Sequence, residues 1–222
     1  MRLIIGNKNY SSWSLRPWLL LTQSQIPFQE EVISLGDPDF RARVMLHSPA
    51  GKVPVLIDDG VVVWDSLAIV EYVGEKFADA QVWPRSPVAR AHARAICAEM
   101  HAGFAPLRTT FPMNCNARFA PALLSRPVRR DVERIVALWT DCRARFGGDG
   151  AFLFGGFSAA DAFFAPVTRR FVTYGVALPP VAAAYVAAVD ALPSMQQWLS
   201  DARSETTFLD DDQHEPYRLR PE

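Results

Sequence analysis

The chain has no excess of either charge. Its 23 lysines and arginines face 24 aspartates and glutamates, a net charge of −1, which excludes the basic footprint of a general nucleic-acid binder. Cysteine is scarce. Cys97, Cys115 and Cys142 are odd in number, widely spaced and form no Cys-x-x-Cys pair, so neither a metal site nor a disulfide framework is expected. No apolar run approaches membrane-spanning length. The opening Met1-Arg2-Leu3-Ile4-Ile5-Gly6 is too short in apolar residues for a signal peptide. Internal repeats and low-complexity tracts are missing. A reducing cytoplasm is the expected compartment. What is present is a globular composition, half hydrophobic and about a fifth charged over 222 residues, with length for one large or two small domains.

One stretch organises the rest. Lys52-Val53-Pro54-Val55-Leu56-Ile57-Asp58-Asp59-Gly60-Val61-Val62-Val63-Trp64-Asp65-Ser66 reads as two short strands around a tight turn, then a helix start. Asp59-Gly60 is the hairpin signal, because a type I′ turn needs positive φ at both central residues. Pro54 cannot donate to a ladder, so it belongs at a strand start, an edge or a bulge, and a cis bond there is expected. A cis bond turns the backbone of Val53 outward, where an extended peptide can pair with it. Asp65-Ser66 caps the next helix, where Ile69, Tyr72, Val73 and Phe77 fall at helical spacing. The N–H groups of that helix start suit a carboxylate. A plain buried hairpin is the other reading of the same stretch.

The first strand is Arg2 to Gly6, followed by the polar turn Asn7 to Ser12. Leu15, Trp18, Leu19 and Thr22 repeat at helical spacing. Proline is tolerated in a first turn, so Pro17 predicts a helix start near Ser14. Phe28 to Ile33 reads as a second strand whose paired glutamates suit an edge. Strand, helix, strand makes the two strands parallel. Asp37-Pro38 predicts a cap and a short helix through Leu46. The order over residues 1–80 is β-α-β-α-β-β-α, a four-stranded mixed sheet with helices on both faces, which is the thioredoxin-like pattern.

Ala78 to Pro87 is a linker. Beyond it helices are predicted at 87–112, 126–146, 159–174 and 181–203, the last broken at Leu192-Pro193. Gly147-Gly148-Asp149-Gly150 and Leu178-Pro179-Pro180 punctuate them. Ser158-Ala159-Ala160-Asp161 is a capping box with Asp in place of Glu, a structural motif. Asp210-Asp211-Asp212-Gln213-His214 reads as a solvated tail rather than a metal site.

An α/β thioredoxin-like first domain (1–80) followed by an all-α second domain (86–222, with a polar tail) resembles the cytosolic glutathione S-transferase superfamily. Three motifs carry the resemblance. Ser11-Ser12-Trp13-Ser14-Leu15-Arg16 is similar to the Ser-Ser-Cys-x-x-Arg signature of the zeta class, the maleylacetoacetate isomerase-like enzymes. Val53-Pro54 with Asp65-Ser66 resembles the Val-Pro and Glu/Gln-Ser pairs that hold glutathione. Ser158 to Asp161 resembles the cap of the core helix in the second domain. The departures are Trp13 in place of cysteine, which speaks against isomerase activity and thiol reductase chemistry, and Asp65 in place of Glu or Gln.

The resemblance implies a glutathione S-transferase that activates the glutathione thiol for attack on a small electrophile, with isomerase and peroxidase activity left open beside transfer. It implies glutathione as co-substrate, no metal, a homodimer, no nucleic acid and no membrane. A serine hydroxyl would donate to the thiolate, with Ser12 favoured over Ser11. Trp13, Lys52, Val53, Pro54, Asp65 and Ser66 would contact glutathione, Lys52 through the glycine carboxylate and Asp65 and Ser66 through the γ-glutamyl end. His101, Phe104 and Arg108, spaced by three and four on one helix, would face the second substrate. Arg16 is assigned a structural role. The alternative is a binding or interaction protein that kept the fold and lost catalysis.

Overall fold

The structure is a computed structural model and describes residues 1–121, 123–207 and 209. The acidic run Asp210 to His214 lies outside the described residues. The first part of the chain forms β1 (Arg2–Ile5), α1 (Ser12–Gln23), β2 (Gln29–Val32), α2 (Phe40–Met45), β3 (Val55–Asp58), β4 (Val61–Val63) and α3 (Ser66–Lys76). The sheet order is β2-β1-β3-β4, with β1 and β2 parallel and the other pairs antiparallel. Asp59 and Gly60 both have positive φ, 46° and 87°, as the hairpin signal requires. The Val53–Pro54 and Trp64–Asp65 peptide bonds are cis.

Alternation along the strands divides the core. Leu3, Ile5 and Leu56 point to one face and join the large cluster with Leu15 and Leu19 of α1 and Ile69 and Val73 of α3. Ile4 and Val55 point to the other face, where Val44 of α2 and Ile33 cover them. The sheet therefore carries helices on both faces. Edge strand β2 keeps Glu30 and Glu31 at its surface, which blunts an otherwise open ladder.

A 3-10 turn at Ala78–Ala80 leads to the helical part: α4 (Pro87–Ala102), α5 (Ala105–Thr110), α6 (Arg126–Phe146), α7 (Ala159–Thr173), α8 (Pro180–Asp190) and α9 (Pro193–Ser204). Helix α7 is the axis of this part. Its residues from Ala159 to Phe171 are all buried, and α1 and α4 both pack against it. Ala159, Ala160, Ala162 and Ala165 let neighbouring backbones approach closely. Its start is fixed by the capping box: the Asp161 carboxylate accepts from the Ser158 N–H at 2.8 Å and from the Leu153 N–H at 3.1 Å. Among the described residues no helix is long and apolar enough to cross a membrane.

Three expectations are corrected. Helix α1 starts at Ser12, not near Ser14, with Pro17 inside it. Proline removes only the bond to the Trp13 carbonyl, and burial of Leu15 to Leu21 on α7 and α9 outweighs that loss. Helix α2 starts at Phe40, with Asp39 rather than Asp37 at its N-cap. The Asp37 carboxylate instead takes the Asp39 N–H at 2.9 Å and pairs with Arg43, forming a turn ahead of the helix. The predicted helix 87–112 is two helices. Gly103 is extended (φ −102°, ψ −169°), Phe104 is left-handed at φ 62°, and Pro106 sits in the first turn of α5. A proline four residues after Ala102 cannot complete a helix running through it.

Candidate active site

The site is built on the loop between β1 and α1. The Asn7 carbonyl accepts from the Ser11 N–H at 2.8 Å, and the Asn7 side chain accepts from the Leu35 N–H at 2.7 Å. The Asn9 side chain accepts from the Asn116 N–H at 3.0 Å, and its carbonyl from the Cys115 N–H at 3.1 Å. Glu205, just after α9, accepts from the N–H groups of Lys8 and Asn9. The loop is thus clamped from the sheet, from the segment after α5 and from the end of α9.

The two serines differ in what they do. The Ser11 hydroxyl donates to Ser14 Oγ at 2.7 Å, and Ser14 Oγ also accepts from the Gly6 N–H at 3.1 Å. Ser11 is therefore spent on closing the turn. A side chain at Gly6 would meet Leu35 at 3.0 Å and Ser11 at 3.2 Å, so this corner is tightly packed. Ser12 Oγ is an acceptor, taking a hydrogen bond from Arg170 Nη2 at 3.1 Å. Its own hydrogen is left to donate elsewhere.

Trp13 is in contact with two cations. The guanidinium carbons of Arg16 and Arg108 stand 4.2 and 4.7 Å from its ring centroids, a cation–π arrangement on one indole. The His101 ring meets it edge-on, with centroids 5.1 Å apart at 81°. Arg16 is fully buried against Phe163 and reaches Ser66 Oγ at 3.4 Å. Burial, and then the nearby Arg108 and Arg170, hold its pKa well below the arginine value. Burial does the same to Arg108. Among the described residues none of Arg16, Arg108 and Arg170 forms an ion pair with a carboxylate, whereas Arg169, beside Arg170, grips both oxygens of Asp190 at 2.9 Å.

Asp65 caps α3 by accepting from the Leu67 N–H at 3.0 Å, and its second oxygen lies 3.1 Å from His101 Nε2. Burial, with Arg16 and Arg108 nearby, lowers the His101 pKa against the pull of Asp65. Ser66, the first residue of α3, is buried under Arg16. Lys52 is exposed and Val53 half-buried ahead of β3. Among the described residues no hydrogen bond engages the backbone of Val53. Of these groups, Ser66 meets Arg16 and His101 meets Trp13 of α1. Phe104 goes elsewhere: it is 8% exposed and packs in the core. Arg108 folds back onto the end of α4, donating to the Met100 and His101 carbonyls. His101 and Arg108 meet at Trp13 because the chain breaks between them, not because they share a helix face. Arg170 was not singled out by the sequence reading. Its one local signal is the pair Arg169-Arg170 inside the largely apolar run Ala162 to Val172.

Two family models match the chain. The glutathione S-transferase N-terminal domain covers residues 10–76, and the glutathione S-transferase C-terminal domain covers residues 117–200. A probable maleylacetoacetate isomerase of Caenorhabditis elegans is 35% identical over 97 residues, 44% of this chain and 45% of the relative. The matched stretch thus spans about half the length of that relative. Among solved structures, a glutathione transferase homologue from Burkholderia with bound glutathione superposes at a TM-score of 0.67 with 22% identity, covering 92% of this chain and 99% of the other. The holo structure of maleyl pyruvate isomerase, a bacterial glutathione S-transferase of the zeta class, gives a TM-score of 0.67 at 19% identity, covering 93% of this chain and 100% of the other. At these identities the structural likeness is one of fold. With both halves matched in order by models of one family, and with a thioredoxin-like sheet followed by helices, the chain belongs to the glutathione S-transferase superfamily and resembles its zeta class.

Proposed function

We propose that the chain is a glutathione transferase that ionises the glutathione thiol beside Ser12 and directs it at a small electrophile. The observation that carries this reading is the Ser12 hydroxyl: it accepts from Arg170 at 3.1 Å and keeps its hydrogen to donate. A thiol with a free pKa of about 8.5 is brought toward neutrality by donors and positive charge. The thiol gives its proton to solvent, the Ser12 hydroxyl donates to the sulfur anion, and the sulfur bonds to the electrophilic carbon as a leaving group departs as an anion with its electron pair. Ser11 closes the turn instead.

Residues 1–80 hold glutathione and residues 86–222 supply the wall against the electrophile. The backbone of Val53, without a partner in the protein, pairs with the cysteinyl part as an added strand. Lys52 takes the glycine carboxylate, and Asp65 and Ser66 take the γ-glutamyl amine and carboxylate. Trp13 and Pro54 pack against glutathione, and His101 and Arg108 border the electrophile. Phe104, packed in the core, supports that wall from behind. The protein works as a cytoplasmic homodimer. Edge strand β4 and the residue after it leave Val61 and Trp64 47% and 43% exposed, apolar surface that a partner copy would cover.

The test is the ultraviolet thiolate absorbance of the glutathione complex against pH. A midpoint well below that of free glutathione, raised in Ser12→Ala, supports the reading. No thiolate band, with glutathione still bound, would assign the chain to the non-catalytic binding proteins. Light scattering at micromolar concentration tests the dimer, and a monomer would remove that part.

A further inference from the structure

Arg170 is a buried cation whose hydrogen bonds go to neutral oxygens. Nε donates to the Phe111 carbonyl at 2.8 Å, Nη1 to the Pro166 carbonyl at 3.2 Å and Nη2 to Ser12 Oγ at 3.1 Å. The two carbonyls fix the plane of the guanidinium, so the fork is aimed at Ser12 before any ligand arrives. Burial lowers its pKa to about 10, which leaves it protonated at neutral pH. Among the described residues it has no carboxylate partner, in contrast with Arg169 and Asp190. An unneutralised cation in a dry interior favours any anion formed next to it.

We propose that Arg170 is the positioning residue for thiol activation: it occupies a lone pair of Ser12 Oγ, turns the hydroxyl hydrogen toward the sulfur and makes it a stronger donor. The inference rests on the assignment of Ser12 above. An O–H whose oxygen already accepts from a cation is polarised, so its own donation strengthens. The charged and titratable groups that act on Arg170 are Arg108 on α5, Tyr174 just after α7 and Cys115 after α5, and Arg16, on the same helix as Ser12, is influenced by Arg108, Arg170 and Asp65. Among the described residues, Arg170 alone hydrogen-bonds the Ser12 hydroxyl. The helical half of the chain therefore takes part in activating the thiol held by the sheet half. The zeta-like motif at residues 11–16 does not by itself contain the activating cation.

The experiment titrates the thiolate absorbance of the glutathione complex in variants. Arg170→Gln should raise the midpoint by about one to two pH units, up to about tenfold to a hundredfold less thiolate at neutral pH, with glutathione affinity, measured at a pH below both midpoints, within about threefold of wild type because the change lies off the peptide frame. Arg170→Lys, which keeps the charge, should recover at least half of the shift. The double variant Ser12→Ala with Arg170→Gln should titrate like Ser12→Ala alone, because Arg170 acts through that hydroxyl. An unshifted Arg170→Gln beside a shifted Ser12→Ala overturns the inference and leaves the role of Ser12 intact. Additive shifts in the double variant also overturn it, assigning Arg170 a direct field effect. A wild type without a thiolate band removes the Ser12 reading itself and this inference with it. If Arg170→Gln does not fold, the wild type decides through its arginine side-chain NMR signals. The signal lost in Arg170→Lys should move with the same midpoint as the thiolate band, and a signal that stays fixed overturns the inference.

Discussion

One oxygen of Asp65 lies 3.1 Å from His101 Nε2 while the other accepts the Leu67 N–H at 3.0 Å. A single carboxylate thus caps α3 and ties it to α4. In the proposed complex the same group meets the γ-glutamyl amine. Asparagine caps helices about as well as aspartate, so Asp65→Asn separates the two duties. Its melting temperature should stay within a few degrees of wild type. Its glutathione affinity should fall about tenfold or more, the loss of a charged hydrogen bond of roughly 1.5–3 kcal/mol. Calorimetric titration beside a thermal melt reads both. Unchanged affinity would remove Asp65 from the glutathione site.

Ser11 supplies the control for Ser12. Its hydroxyl donates to Ser14 Oγ within the turn, so Ser11→Ala should cost stability of about 0.5–1.5 kcal/mol. The thiolate midpoint should not move. Urea unfolding and the ultraviolet titration check the two halves. A shifted midpoint in Ser11→Ala, with Ser12→Ala unshifted, would transfer the activating role to Ser11.

Asp161 makes stability depend on pH in an uncommon direction. Burial raises its pKa from 3.8 to about 6, against the hydrogen bonds from Leu153 and Ser158 that lower it. The folded protein therefore holds this proton more tightly than the unfolded chain. Its contribution is fully present below about pH 4 and is lost as pH rises through about 6. Asp161→Asn cannot titrate. The stability of wild type relative to Asp161→Asn should fall between pH 4 and 6, by on the order of 3 kcal/mol, and stay flat above. Urea unfolding at each pH measures it. A difference independent of pH would place the Asp161 pKa at its ordinary value.

Much of this architecture was legible because local chemistry and tertiary packing agreed. Asp59-Gly60 sets the hairpin, and Val55, Leu56 and Ile57 alternate between the two core clusters. Val128, Val132, Ile135, Leu138, Trp139 and Cys142 mark the buried face of α6 at helical spacing. The failures occur where packing overrode a local preference or where a local signal was passed over. Pro17 remains inside α1 because the helix is buried along its length. The break before α5 was written in Gly103 and Pro106, but an apparent helix face at His101, Phe104 and Arg108 hid it. The serine motif was readable. The Arg170 contact, spanning 158 positions of sequence, was not, since no periodicity links α7 to the first turn of α1.

Lys8 gives the last prediction, because it joins the sheet to α9 just ahead of the serines. The residue is 5% exposed. Its ammonium lies 2.8 Å from Glu30 Oε2 and 2.7 Å from Asp201 Oδ2, and 4.6 and 5.5 Å from the Trp18 and Trp198 ring centroids. Breaking a fully buried ion pair costs about 3–5 kcal/mol because a charge is left without a partner in a dry site. Here the carboxylates keep access to water, with Glu30 at 30% and Asp201 at 41% side-chain exposure. They can be rehydrated when the cation is removed. Lys8→Met keeps the length of the chain and its apolar packing between the tryptophans, so the cost should be smaller, about 1–2 kcal/mol. The loop effect is separate: the Lys8 N–H is held by Glu205 through the backbone and survives the substitution. Lys8→Met should therefore lower the urea midpoint while leaving the thiolate titration of the glutathione complex near wild type. A loss of 3 kcal/mol or more would mean that the two carboxylates do not regain water. A shifted thiolate midpoint would mean that the side-chain network, and not Glu205, sets the position of Ser11 and Ser12.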